Sequence, residues 1–291
     1  MIWPFTRRAA TQHIAHNLWR QAAAGLPWLR GIDAARDARL RALCAEFLQG
    51  KTITPLHGLA LNEVQQLRLA MLCCLPLLEF GREGLHGWSQ LLVYPDAFRV
   101  QRSHQDAHGV LHEWADELIG EAWERGPVIL SWADVRADIA APRDGFCVVA
   151  HEIAHKLDAL DGAMDGTPPL PRDWQKRWAS DFQRAYDALC AEVDANRETM
   201  IDDYAAESPE EFFAVCSEYH FSDAQRLREA MPEVAAHLQR FYGPALLDSQ
   251  RPAIVLVAQP CRQQLLVVEA QALFAPARDP MQAVTQPAQR A

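Results

Sequence analysis

The sequence has no long apolar run. The longest, Leu69 to Leu78, is too short to cross a bilayer and contains Pro76. Near Met1 the order of an export signal is missing: Trp3 and Phe5 precede Arg7 and Arg8, and no apolar core segment follows. No membrane partner is therefore expected, and the expected location is cytoplasmic. Basic charge is also scarce. With 28 Lys and Arg against 38 Asp and Glu, the net charge of −10 disfavours direct binding to nucleic acid. The seven cysteines form no Cys-x-x-Cys pair and no framework-like spacing, which argues against a thiolate metal site and for a reducing compartment. No internal repeat is found.

What remains is ordinary for a soluble globular protein: 291 residues, 49% apolar and 23% charged, enough chain for about one or two domains with a sizeable core. Within it stands one distinctive stretch, His151-Glu152-Ile153-Ala154-His155. Residues four apart share a helical face, so two imidazoles there can reach one Zn²⁺, and Glu152 projects from the edge of that face toward a metal-activated water. This is the His-Glu-x-x-His pattern of metallopeptidases. A surface helix with two unrelated histidines would show the same letters. The flanks oppose that reading, since positions 146, 149, 150, 153, 154 and 157 are apolar at helical spacing and Asp161-Gly162 supplies a stop.

Along the chain, helices are expected over 10–24, from Asp33 to Leu48 with Gly50 closing, and from Glu63 to Leu75 behind an Asn62 cap. Extended pieces are expected at Thr52–Leu56, at Trp88–Tyr94 ending on Pro95, and at Gly126–Trp132 with Pro127 at its start. The last of these is either a plain core strand or an edge strand that receives a peptide substrate. His104, His108 and His112 recur every four residues but sit in a polar context with Gly109, which reads as a loop. Helix signals follow at Trp114–Glu124, at Trp174–Val193, and from Ser208-Pro209 to about Phe221. A strand is expected at Ala253–Ala258, and a mobile tail from Ala275.

A catalytic zinc usually has three protein ligands. The extended metzincin pattern would need Gly at 158 and His at 161, where this chain has Asp158 and Asp161. Asp161 could act as a carboxylate variant. The better candidate is Glu211, ahead of the apolar Phe212-Phe213-Ala214-Val215, although Ser208-x-x-Glu211 is also a capping box. Glu207, Glu210 and Glu218 are nearby. Asp158 either orients a ligand or makes a helix-surface or loop contact.

Taken together, His151 to Asp158, Tyr204, Glu211 to Tyr219, Leu92 to Phe98 and Gly126 to Trp132 resemble the Mlc titration factor A family of zinc peptidases. The catalytic domain of anthrax lethal factor is similar around the metal, including a tyrosine seven residues before the ligand Glu. The resemblance covers roughly residues 1–245. It implies one Zn²⁺ per chain held by His151, His155 and Glu211, with Glu152 as general base and Tyr204 at the oxyanion. It implies a peptide or protein substrate, aminopeptidase action being one form, and capture of the Mlc repressor of sugar-uptake genes. The alternative is a non-catalytic titrating protein that retains a metal site.

The expected architecture is α+β and mainly helical, gluzincin-like, with a small mixed sheet packed on the His-Glu-x-x-His helix. A single metallopeptidase domain is expected over 1–245, with 1–85 mainly helical and 86–245 the catalytic core. Residues 246–291 are expected to form a partly disordered C-terminal extension.

Overall fold

In the computed structural model of the chain, Asp33 opens the first long helix as an N-cap, its carboxylate accepting the N–H groups of Ala35 and Arg36 at 2.9 Å each. The structure describes residues 14–96 and 126–248, all within one unit of the chain. The expectations for His104, His108 and His112, for Trp114–Glu124, for Ala253–Ala258 and for the tail lie outside the described residues.

Helices α1 (His16–Ala23) and α2 (Ala34–Gly50) both pack on α3 (Glu63–Cys74). A full capping box starts α3: the Asn62 side chain accepts the Gln65 N–H at 3.0 Å, and the Gln65 side chain accepts the Asn62 N–H at 2.9 Å. Its Leu67 and Met71, with Leu75 just beyond, are buried as their spacing predicts.

Three strands, β1 (Thr52–Pro55), β2 (Gln90–Tyr94) and β3 (Val128–Ser131), form one sheet in that order. The mixed sheet expected from the sequence is corrected here, because all three described strands run parallel. Thr52 pairs with Gln90 and Pro55 with Val93, then Leu91 with Val128 and Tyr94 with Ser131. Between β1 and β2 the chain passes through α3, a crossover that returns it to the starting end of the sheet, as parallel pairing requires. Every residue of β3 is buried, in keeping with a parallel strand covered on both faces.

The second half is helical: α4 (Trp132–Ala140), α5 (Val148–Asp158), α6 (Arg172–Asp194), α7 (Pro209–Phe221), α8 (Ala224–Ala230) and α9 (Pro232–Tyr242). Three of these, α4, α8 and α9, have no counterpart in the sequence reading. Their start signals are nevertheless present: Ser131 accepts the Asp134 N–H at 3.1 Å, Asp223 accepts the Arg226 N–H at 3.3 Å, and Pro232 opens α9. No described helix is long and apolar enough to cross a membrane.

The sheet meets the helices where β3 lies against α5, and α5 packs most extensively on α7. An aromatic cluster backs this pair. Trp178 and Phe182 of α6 stack at 4.0 Å and meet Phe212 and Phe213 of α7 edge-on. Burial of each phenylalanine stabilises by about 1.5–3 kcal/mol, against ~1 kcal/mol for a helix cap. Packing therefore holds α7 in place more strongly than its cap does. The Trp28 indole donates to the Phe221 carbonyl at 2.7 Å and ties the N-terminal helices to the end of α7.

Candidate metal centre

Helix α5 carries His151, Glu152 and His155, and all its residues are buried except Glu152, which is half-buried. Cys147 precedes it without a side-chain cap. Two acidic side chains from elsewhere in the chain do that work instead: Asp138 of α4 accepts the Val148 N–H at 2.8 Å, and Glu218 of α7 accepts the Cys147 N–H at 2.7 Å. At the other end a 3₁₀ turn over Ala159–Asp161 runs into Gly162, whose φ of +93° ends the helix as expected. One helical turn apart, the His151 and His155 rings come to 4.7 Å between centroids, with their Nε2 atoms 3.1 Å apart.

Helix α7 brings the third group. Ser208 caps it by accepting the Glu211 N–H at 3.3 Å, and Pro209 occupies its first position. The cap uses the backbone of Glu211, while the side chain turns toward α5. Its Oε2 lies 3.1 Å from His151 Nε2 and 3.4 Å from His155 Nε2. Only half of a capping box forms: Ser208 accepts the Glu211 N–H, while the Glu211 carboxylate faces the two imidazoles rather than folding back to the Ser208 amide.

Among the described residues, His151, His155 and Glu211 form the one buried group with the make-up and spacing to hold a metal ion. A tetrahedral ion with bonds of about 2.0–2.1 Å sets its ligands roughly 3.3–3.4 Å apart. The observed separations of 3.1, 3.1 and 3.4 Å match one face of such a tetrahedron and leave its fourth corner for another group. The donor set, two imidazoles and one carboxylate, suits zinc chemistry. Asp161, which is exposed, accepts the Ala163 N–H at 3.2 Å and is outside the group, as are Glu207 and Glu210.

Glu218, named from the sequence only as a nearby acid, touches the group directly. Its Oε1 sits 2.8 Å from His151 Nδ1. A carboxylate there accepts the Nδ1 proton and turns Nε2 of His151 toward His155 and Glu211. Burial opposes a charge on His151, yet its hydrogen bonds to Glu211 and Glu218 outweigh that and hold its pKa well above the ordinary value. Burial likewise works against ionised Glu211, and the two imidazoles overcome it, keeping the carboxyl well below its usual range. Glu211 is therefore held as a carboxylate paired with the imidazoles.

Tyr204 sits in a 3₁₀ turn, Asp203–Ala206, packed on α7. Asp202 caps the turn by accepting the Tyr204 N–H at 3.0 Å, and Tyr186 donates to the Ala206 carbonyl at 3.2 Å. The Tyr204 ring is 39% exposed and stacks 6.3 Å from His151, so the side chain stands at the solvent edge of the cluster. Asp158 makes the loop contact that was one of its two readings: it accepts the Gly166 N–H at 2.8 Å from a fully buried position. Burial pushes its carboxyl up to about 7, against the pull of the Gly166 bond. Strand β3 is both an outer strand of the described sheet and buried along its whole length, so features of both its readings are present.

Comparison with known proteins places this geometry in context. The model of the family "Glucose-regulated metallo-peptidase M90" matches residues 2–243. The chain is 38% identical over 244 residues to Mlc titration factor A of Serratia proteamaculans, covering 82% of this chain and 91% of that one. It is 36% identical over 244 residues to Mlc titration factor A of Escherichia fergusonii, covering 83% and 91%. It is 37% identical over 227 residues to the protein of the same name in Yersinia pestis, covering 77% and 83%.

Proposed function

Because the chain belongs to the M90 metallopeptidase family, we propose that it is a zinc-dependent peptidase acting in the cytoplasm, with His151, His155 and Glu211 as the zinc ligands. The observation that carries the proposal is the convergence of three buried ligand atoms, from helices α5 and α7, within 3.4 Å of one another. Zinc, when bound, would supply an acidified water and polarise a peptide carbonyl.

The chain's own residues divide the remaining work. Glu152, half-buried on the helix that holds both histidines, takes the proton of the attacking water and passes it to the leaving amine. Tyr204, at the solvent edge of the cluster, donates a hydrogen bond to the oxyanion as it forms. Glu218 fixes the tautomer and ring angle of His151 and caps the helix that carries it. The test is hydrolysis of a peptide panel with and without a zinc chelator. Activity lost on chelation and restored by zinc is expected. Comparing blocked with free N-termini decides whether the enzyme is an aminopeptidase. Activity indifferent to chelation, or none in the zinc-loaded protein, overturns the proposal.

The shared name of the relatives motivates a second reading, a chain that binds an Mlc-like repressor. The net charge of −10 is compatible with a basic partner. A pull-down of that repressor beside the peptidase assay separates the two. Repressor binding that survives chelation, from a chain with no peptidase activity, favours titration alone.

A further inference from the structure

Gly166 lies on none of the helices that bear the metal group, yet three of its faces are occupied by elements that frame it. Its N–H donates to the buried carboxylate of Asp158, the last residue of α5, at 2.8 Å. Its carbonyl accepts from the fully buried Trp178 indole of α6 at 3.3 Å. Its Cα faces the first residue of α7: a Cβ at 166 would lie 2.4 Å from the Pro209 carbonyl oxygen and 2.9 Å from the Pro209 carbonyl carbon. The backbone at 166 also has a φ of +79°, which favours glycine.

We propose that Asp158 and Gly166 are positioning residues which together form a spacer between the end of α5 and the start of α7, setting how closely Glu211 approaches His151 and His155. This rests on the reading of those three residues as zinc ligands. The physical basis is the shortness of the path. Pro209 is two residues before Glu211, in the same first turn of α7, so a displacement of one carries the other. Restoring ordinary contact around a methyl group at 166 would move Pro209 by about 1 Å. The ligand atoms are 3.1–3.4 Å apart, and metal–ligand bonds tolerate only about 0.2 Å. The displacement therefore exceeds what the site can absorb.

Gly162 supplies the control. Its φ of +93° imposes the same backbone strain on an alanine, but nothing lies within 4 Å of the added Cβ. The test compares Gly166→Ala, Gly162→Ala, Asp158→Ala and Asp158→Asn with wild type, by zinc dissociation constants from chelator competition and by crystal structures of the metal-free proteins. Gly166→Ala and Asp158→Ala are expected to weaken zinc binding by about tenfold or more and to show Glu211 displaced from the imidazoles. Asp158→Asn keeps an acceptor for the Gly166 N–H and should bind as wild type does, as should Gly162→Ala. If Gly166→Ala does not fold, the two Asp158 variants decide. Glu211 unmoved and zinc affinity intact in Asp158→Ala overturns the proposal, as does equal loss in Gly162→Ala. A wild type without zinc affinity would instead remove the metallopeptidase reading, and the Glu211 positions in the crystal structures would still decide the spacer.

Discussion

The Oε1 atom of Glu218 lies 2.8 Å from Nδ1 of His151, joining two residues 67 positions apart, while its Oε2 accepts the Cys147 N–H at 2.7 Å. One carboxylate thus aims a candidate ligand and seals the start of the helix that carries it. Replacing Glu218 with Ala removes both contacts and leaves a buried imidazole free to rotate. Zinc affinity should fall by about 10- to 100-fold. Titration of the variant with zinc against a competing chelator measures it, and affinity equal to wild type would show that the contact is incidental.

Glu152 should separate chemistry from metal binding. It belongs to α5 but not to the His-His-Glu group. Glu152→Ala is expected to retain one zinc per chain and to lose turnover by about 10²–10⁴-fold, the range of a general base. Metal analysis beside a rate measurement checks both halves. Loss of zinc in this variant would assign Glu152 to the ligand set instead.

Tyr204 makes a different kind of contribution. Its ring stacks near His151 and is substantially exposed, so removal of its hydroxyl should leave packing and metal intact. Tyr204→Phe is expected to lower kcat with little change in KM, by about 10²–10³-fold if the hydroxyl meets the oxyanion. Unchanged kcat would place the side chain outside the reaction.

Asp138 predicts a dependence of stability on pH. Burial, with Glu218 and Asp144 nearby, pushes its carboxyl from 3.8 up to about 8, although the Val148 N–H pulls the other way. The folded chain therefore holds this proton where the unfolded chain has released it. Stability falls as pH climbs from about 4 toward 8. Asp138→Asn keeps an acceptor for the Val148 N–H without a buried charge, so its Tm should decline less over that range. Parallel Tm curves for the two proteins would contradict the assignment.

How much of this was legible in the sequence depended on how local the signal was. Helix α5 was readable because its apolar spacing and Gly162 lie within one short stretch, and α7 because Ser208 and Pro209 mark its start. Glu218 was a weaker signal. It stands seven residues after Glu211, so the two share a helical face, and a second acid on an otherwise apolar face invites a partner. The role of Gly166 could not be read, because its neighbours Asp158, Trp178 and Pro209 meet only in the folded chain. Strand direction was hidden for a related reason. Composition marks β1, β2 and β3 as extended, but parallel pairing depends on where the crossover through α3 returns the chain. Helix α8 is only seven residues long and carries little periodicity, whereas α9 was legible and missed: Pro232 opens it, and Val234, Ala235, Leu238, Phe241 and Tyr242 recur at helical spacing up to Gly243.

The most direct measurement is the zinc content of purified Glu211→Ala and Glu210→Ala proteins beside wild type. Both substitutions remove one carboxylate from the first turn of α7, and only Glu211 lies 3.1 Å and 3.4 Å from the two imidazoles. One zinc per chain in wild type and in Glu210→Ala, with little in Glu211→Ala, is the predicted result. Equal zinc in the two variants, or none in wild type, would contradict it.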